Sequence, residues 1–445
     1  MINKRRQNFW KWVAVTALTI IASGSEVLAQ SATFTIINQF NGADGRQPVG
    51  NLISDSVGNI YGVTNEGGKT SQCSNGCGTV FKLSKTSSGR WTRTVLHEFA
   101  GGTDGSFPGA GLVMDSHGNV YGTTQLGGVG SSGVVYELSP TESGSWKENV
   151  LHAFQGGWDG AQPYSQMVFD GMGNLYGTTS EGGTGNCGSG GSCGTVFEVS
   201  PNASGGWSET IIYNFSGNGD GWDPVGPLVF DNHGNFYGTA VMGGSSNDDC
   251  GPYYGCGEVF QLSPSSDGGW SKATVYAFQE DLNGGYPYGG VILDAEGNLY
   301  GTDSTGGRPS DCQAFQGCGL AFALRPNGKG AWTESTLFAF GDSKDDFGTS
   351  TGAFPYGSLV FGPSGYLYGT ASYGGRLNNG NNAYGVIFQL SPDAEGWKET
   401  VLHVFHLSDG ANPAYGLLPD GSGNLFGTTF LGGQNNGGVV FEITP

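Results

Sequence analysis

Five aspartates recur at one place along the chain, each followed by glycine: Asp44, Asp104, Asp159, Asp220 and Asp409. Asp223, Asp342, Asp345 and Asp346 fall in corresponding stretches. Clustered carboxylates can hold Ca²⁺ through hard oxygen ligands, or serve as general acid and base on a glycosidic bond. The 342–346 stretch departs furthest from its counterparts and is the better Ca²⁺ candidate; no other cofactor is expected. For the rest a plainer reading competes, because Asp-Gly is a favoured turn dipeptide whose carboxylate bonds nearby backbone. Aromatic residues share these stretches: Trp158, Trp222, Tyr253, Tyr254, Phe315, Phe347 and Phe354. Tyr164, Tyr288 and Tyr356 each follow a proline. Aromatic rings beside carboxylates suit sugars, which present apolar faces and hydroxyl edges; the alternative is packing between neighbouring repeats. His97, His152 and His403 share a position held elsewhere by Tyr213, Tyr276 and Phe338. Exchange with phenylalanine argues for packing there, and against a metal ligand or a base.

Eight cysteines form four close pairs, Cys73/Cys77, Cys187/Cys193, Cys250/Cys256 and Cys312/Cys318. An even set at matched positions reads as disulfides if the chain is exported. A four-thiolate metal site would have to join pairs from different repeats. Loops this short give about 2 kcal/mol each in the chain-entropy model, so the bridges pin single loops. Two motif matches are refused. Residues 348–352 (Gly-Thr-Ser-Thr-Gly) fit a nucleophile elbow but lack the strand before and the helix after. Residues 183–188 fit a dinucleotide fingerprint without the helix whose N-terminus would hold phosphate.

The elements that position these residues follow from a repeat. A Gly, usually an Asn, an apolar residue, an aromatic and Gly-Thr recur from Gly58, Gly118, Gly173, Gly234, Gly297, Gly365 and Gly423, 55 to 68 residues apart. In the second unit, 110–115 is a short apolar run, 120–124 a second strand, 133–139 an alternating third and 146–154 a fourth. No helical period of useful length occurs after the first 30 residues. Four antiparallel strands per unit and seven units predict an all-β, seven-bladed β-propeller. The lone fourth strand at 33–40 completes a last blade that otherwise ends at its third strand, 438–444, and so closes the ring. The Trp at 91, 146, 207, 270, 332 and 397 opens each fourth strand and is expected to pack between blades. Blade six departs from the pattern, with Gly362 for the strand-one Asp and Tyr366 for the turn Asn. Connections between strands two and three, and from strand four to the next blade, are the long ones. They share a face, and variable loops on a rigid scaffold are where binding concentrates.

The run Gly-Leu-Val-Met-Asp-Ser-His-Gly-Asn-Val-Tyr-Gly-Thr-Thr (111–124), followed by Gly-Gly, Val-Val-Tyr-Glu-Leu-Ser-Pro and Trp-x-Glu-x-Val-Leu-His-x-Phe, resembles the Gloeo/Verruco (GloVer) tandem repeat. The likeness covers residues 33–445. It implies an exported bacterial protein of the choice-of-anchor type and no established activity. A looser similarity is to kelch-type propellers.

The ends and composition bound the rest. Lys4, Arg5 and Arg6, an apolar stretch at 13–22 and Val27-Leu28-Ala29 read as a signal peptide over 1–29. A single propeller domain is expected over 30–445, monomeric and secreted or periplasmic. Removing the leader leaves 14 Lys+Arg against 37 Asp+Glu, a charge of −23, which repels nucleic acid and anionic membranes. The expected function is a non-catalytic binding or scaffold propeller for an extracellular polysaccharide or protein. The alternatives are a polysaccharide lyase or hydrolase on the same face, and a structural cell-surface repeat protein.

Overall fold

The Asp-x-x-Gly-Asn phrase that joins strands one and two folds as a clamp. Asp55 Oδ1 accepts the backbone N–H of Val57 and Asn59 at 3.1 and 2.8 Å, while Oδ2 accepts from Asn59 Nδ2 and the Tyr61 hydroxyl. Burial alone would raise this carboxyl, but the four donors hold it below its ordinary range. The clamp recurs at Asp115, Asp294 and Asp420. In blade six the Tyr368 ring takes the space of the missing carboxylate: a Cβ on Gly362 would meet Tyr368 Cε2 at 2.1 Å. The chain there makes a short 3-10 turn, Pro363–Gly365, with Ser364 at φ 60°.

The computed structural model describes residues 32–69, 72–187, 191–217, 219–244, 255–279, 283–307, 312, 317–328, 330–341, 350–375, 383–394 and 396–445. Seven antiparallel sheets form the blades of a β-propeller. Blade 1 runs outward from Arg46–Ser54 through Ile60–Glu66 and Thr79–Lys85 to Trp91–Glu98. Blade 7 is built from Leu418–Pro419, Leu425–Thr429 and Val439–Thr444, and Thr33–Gln39 supplies its outer strand with Thr33 opposite Thr444. The ring closes as the repeat predicted.

Apolar positions of strands two and three face the neighbouring blades. Gly62 lies opposite Phe81, and a Cβ on it would meet the Phe81 ring at 2.6 Å. The strand-two glycine therefore makes room inside its own blade for the facing aromatic. Five strand-four tryptophans pack edge-on against the strand-two aromatic of the preceding blade. Trp146 lies 6.3 Å from Tyr61, Trp207 6.0 Å from Tyr121 and Trp332 5.9 Å from Tyr237.

A latch joins each blade to the one before. Gln47, Phe107, Gln162, Asp223, Tyr286, Phe354 and Asn412 all precede proline, yet all take left-handed φ between 53° and 59°. That conformation is disfavoured for such residues and costs about 1–3 kcal/mol each. Compensation comes from the preceding blade, whose carbonyl accepts the strained N–H in all seven cases, as from Asp223 to Cys193 at 3.1 Å. The proline then covers a glycine beside that carbonyl: a Cβ on Gly194 would meet Pro224 Cδ at 2.6 Å.

Candidate functional site

Every inner strand contributes to a cavity of about 180 Å³ on the propeller axis. Small residues line much of it, including Gly50, Gly109, Gly111 and Gly289. Into the space they leave, three blades send the residue after the entrance proline, Tyr164, Tyr288 and Tyr356. The structure thus brings together the three tyrosines singled out in the sequence. Tyr288 and Tyr356 meet edge to face with centroids 5.2 Å apart, and Tyr288 is 39% exposed. A fourth ring, Tyr415, lines the same cavity and acts electrostatically on Tyr164. Burial raises the hydroxyls of Tyr164 and Tyr415, and pushes that of Tyr356 up to about 12. These rings are neutral and can donate hydrogen bonds.

The polar side of the cavity is a chain of amides. The Gly416 N–H donates to Asn51 Oδ1 at 2.8 Å, Asn51 Nδ2 donates to Gln166 Oε1 at 3.0 Å, and Gln166 Nε2 donates to the Leu112 carbonyl at 2.7 Å. Gly111 permits this bridge, because a Cβ there would meet the Asn51 carbonyl at 2.5 Å and Gln166 at 3.0 Å. Asp223 acts electrostatically on both Tyr164 and Tyr288. Burial, with Glu181 adding repulsion, pushes its carboxyl up to about 6.

Tyr415, Asn51 and Gln166 were missed in the sequence. Tyr415 stands one residue later than its counterparts, in Pro-Ala-Tyr where they show Pro-Tyr. Asn51 and Gln166 become visible only when the seven post-proline segments are aligned and the one wide amide is matched with the other.

The Asp-Gly carboxylates lie elsewhere, between the outer strands of adjacent blades. Each closes its own loop: Asp104, Asp159 and Asp220 accept the backbone N–H four residues earlier, and Asp44 and Asp409 the one three earlier. Each also faces a side chain of an outer strand. Asp104 faces His97 at 3.2 Å, Asp159 faces His152 at 3.3 Å, Asp220 faces the Tyr213 hydroxyl at 2.8 Å, and Asp409 faces His403 at 3.4 Å. Asp44 pairs with Arg93. A β-bulge sits just before the strand-four position, as the register shift between Val150 and His152 shows, and bulges re-aim the side chain that follows.

His97 and His152 therefore meet carboxylates as well as the rings of Phe99 and Phe154. Two half-buried glutamates of the next blades complete these clusters, Glu148 beside His97 and Glu209 beside His152. Burial, then Asp104, pushes Glu148 upward; burial, then Asp159, pushes Glu209 up to about 8. Burial lowers His152, partly offset by Asp159.

Trp158 is 70% exposed on the turn Gly157–Asp159. Trp222 is half-buried against the cluster holding Cys187 and Cys193. Disulfides join Cys73 to Cys77, Cys187 to Cys193 and Cys312 to Cys318. Cys256 is also disulfide-bonded. Cys250, Tyr253, Tyr254, Phe315, Asp342, Asp345, Asp346 and Phe347 lie outside the described residues, as do residues 1–31, which include the stretch 1–29 expected to be a signal peptide. No described helix is long and apolar enough to cross a membrane.

The profile described as Gloeobacter/Verrucomicrobia repeat matches residues 26–191 and 188–381. No protein of curated function matches the sequence. Among solved structures, the chain is similar to a fungal alcohol oxidase of the AA5 family in complex with copper, at 13% identity and TM-score 0.53, covering 93% of this chain and 76% of that one. A luciferin-regenerating enzyme aligns at 12% identity and TM-score 0.41, over 93% and 96% of the two chains. At such identity the oxidase likeness concerns the fold and not its chemistry.

Proposed function

We propose that this chain, which belongs to the Gloeobacter/Verrucomicrobia repeat family, is an exported binding or scaffold propeller whose axial cavity and loop face engage an extracellular polysaccharide. The observation that carries the reading is the wall of four tyrosines opposite an amide chain. Aromatic faces stack on the apolar side of a sugar ring, while neutral hydroxyls and amides meet its hydroxyl edge. A volume of about 180 Å³ equals roughly six waters at ~30 Å³ each. That admits one ring or side group, while the rest of a polymer would lie outside the cavity. The disulfides fit an oxidising compartment, and a charge of −23 after leader removal disfavours nucleic acid. No covalent chemistry is required of the protein in this role.

Titration calorimetry against an oligosaccharide panel with Ca²⁺ present tests it. A saturable heat is expected, with affinity falling roughly 3- to 10-fold in Tyr288→Ala for a lost aromatic contact of about 0.5–1.5 kcal/mol. The melting temperature should barely move. Unchanged affinity in both Tyr288→Ala and Tyr356→Ala would sink the reading, and silence across the panel would leave a protein partner or a structural role.

Asp223 favours a second reading, a lyase or hydrolase at the same mouth. A carboxyl held near 6 is poised as a general acid. Heat that persists after each injection in the wild type, and disappears in Asp223→Asn, would establish it.

A further inference from the structure

Junctions between adjacent outer strands share one slot, formed by the post-bulge residue of one blade, the described part of its following loop, and the residue two beyond the strand-opening position of the next blade. In two of the slots that gather carboxylates the chain itself supplies a cation. Asp44 meets the guanidinium of Arg93, which also donates to Asn38 Oδ1 at 3.0 Å. Between blades 3 and 4, near Asp220, Lys272 pairs with Glu258. Between blades 6 and 7 the slot is closed by stacking, with Phe34 flat against His403 at 3.7 Å.

Two neighbouring slots do neither. Between blades 1 and 2 stand His97, Asp104 and Glu148; between blades 2 and 3 stand His152, Asp159 and Glu209. No lysine or arginine pairs with any of these carboxylates among the described residues. In each slot one imidazole nitrogen and two carboxylate oxygens lie within 4.8 Å of one another. His97 Nε2 is 3.2 Å from Asp104 Oδ1 and 3.9 Å from Glu148 Oε2, and His152 Nε2 is 3.3 Å from Asp159 Oδ2. Glu148 Oε1 and Glu209 Oε1 are buried atoms without a hydrogen-bond partner among the described residues. Leaving a buried carboxyl oxygen unpaired in two consecutive copies of one slot is costly.

We propose that these two slots are a matched pair of divalent transition-cation sites, with Zn²⁺ as the representative ion. The donor set of one imidazole and two carboxylates suits zinc, whereas Ca²⁺ takes six to eight oxygens. Bonds of ~2.0–2.1 Å in a tetrahedron put ligand atoms roughly 3.3 Å apart. The His–Asp separations of 3.2 and 3.3 Å match that span, and a short movement of Glu148 completes the first site. Water takes the remaining position. Each ion takes the place that Arg93 or Lys272 holds in the sister slots, and together they staple blades 1, 2 and 3 at their outer edges.

The test is the number of zinc ions bound per chain, read by titration calorimetry of the metal-stripped full protein and by elemental analysis after dialysis. Wild type should bind two ions more than Glu148→Gln/Glu209→Gln, and each single variant should stand one ion below wild type. Glutamine keeps the shape and removes the charge. If either variant misfolds without metal, His97→Phe and His152→Phe replace it, carrying the residue that Phe338 shows is tolerated at this position. The same stoichiometry in wild type and double variant would overturn the proposal, because the ions would then sit elsewhere. So would the absence of saturable binding by wild type.

Discussion

The axial cavity and the outer slots are built on the same sevenfold backbone, yet they break its symmetry in different currencies. Around the axis the variable is size: Gly109, Tyr164, Val225 and Ala414 occupy one structural position. Removing volume in some blades and adding rings in others makes a space with a chosen wall. At the outer slots the variable is charge: Arg93, Glu148, Lys272, Glu334 and Phe34 replace one another. There the outcome is a closed ion pair, a stack or a carboxyl cluster without a cation among the described residues. A repeat scaffold can thus place its recognition where side-chain volumes differ and its stability where charges differ.

That division can be broken most forcefully at the charged end. Lys272 is 5% exposed and its partner Glu258 is fully buried. Lys272→Met should cost about 3–5 kcal/mol, because it strands a buried carboxylate; a urea midpoint reads this. Adding Glu258→Gln should restore most of it, and a double variant as weak as the single would contradict the account.

Asp303 comes next. It is fully buried on strand two of blade 5, both of its oxygens lack hydrogen-bond partners among the described residues, and its strongest electrostatic neighbour is Glu334. Burial raises its carboxyl well above the ordinary value, so the folded protein holds a proton that the unfolded chain has released. The penalty is absent below about pH 4 and grows as pH rises towards the raised value. Asp303→Asn should therefore stabilise the protein by about 1–3 kcal/mol at pH 8 and leave it unchanged near pH 3.5. A pH-independent effect would point to lost packing instead. The smallest effect belongs to Trp158→Ala, expected within about 0.5 kcal/mol of wild-type stability. It sharpens the comparison by testing whether ligand affinity falls where stability does not.

The architecture was legible because each blade states its strands within one repeat. Turn glycines, the aromatic-Gly-Thr phrase and the orphan strand at residue 33 all carry local signals. The tyrosines Tyr164, Tyr288 and Tyr356 were legible because a proline marks the point where the chain reaches the axis. The partners of the outer slots were not, since they belong to different units: Asp44 finds Arg93, and His97 finds Glu148, each about 50 residues along the chain. Their position alone, compared with phenylalanine at 338, suggested packing, and the neighbour that changes the chemistry comes from the next blade. Asp303 was hidden for a related reason. Its depth depends on a neighbouring blade covering it, and nothing within its own strand announces that cover.

Closure of blade 7 also sets a clock. Thr33 cannot meet Thr444 until 411 further positions have been made. During synthesis the first strand waits as a bare edge while six blades assemble beside it, and such edges invite intermolecular pairing. Sequence separation of this size slows the final step of folding. Thr33, Thr35 and Asn38 place polar groups along that waiting strand, so the segment with the longest wait is not uniformly apolar.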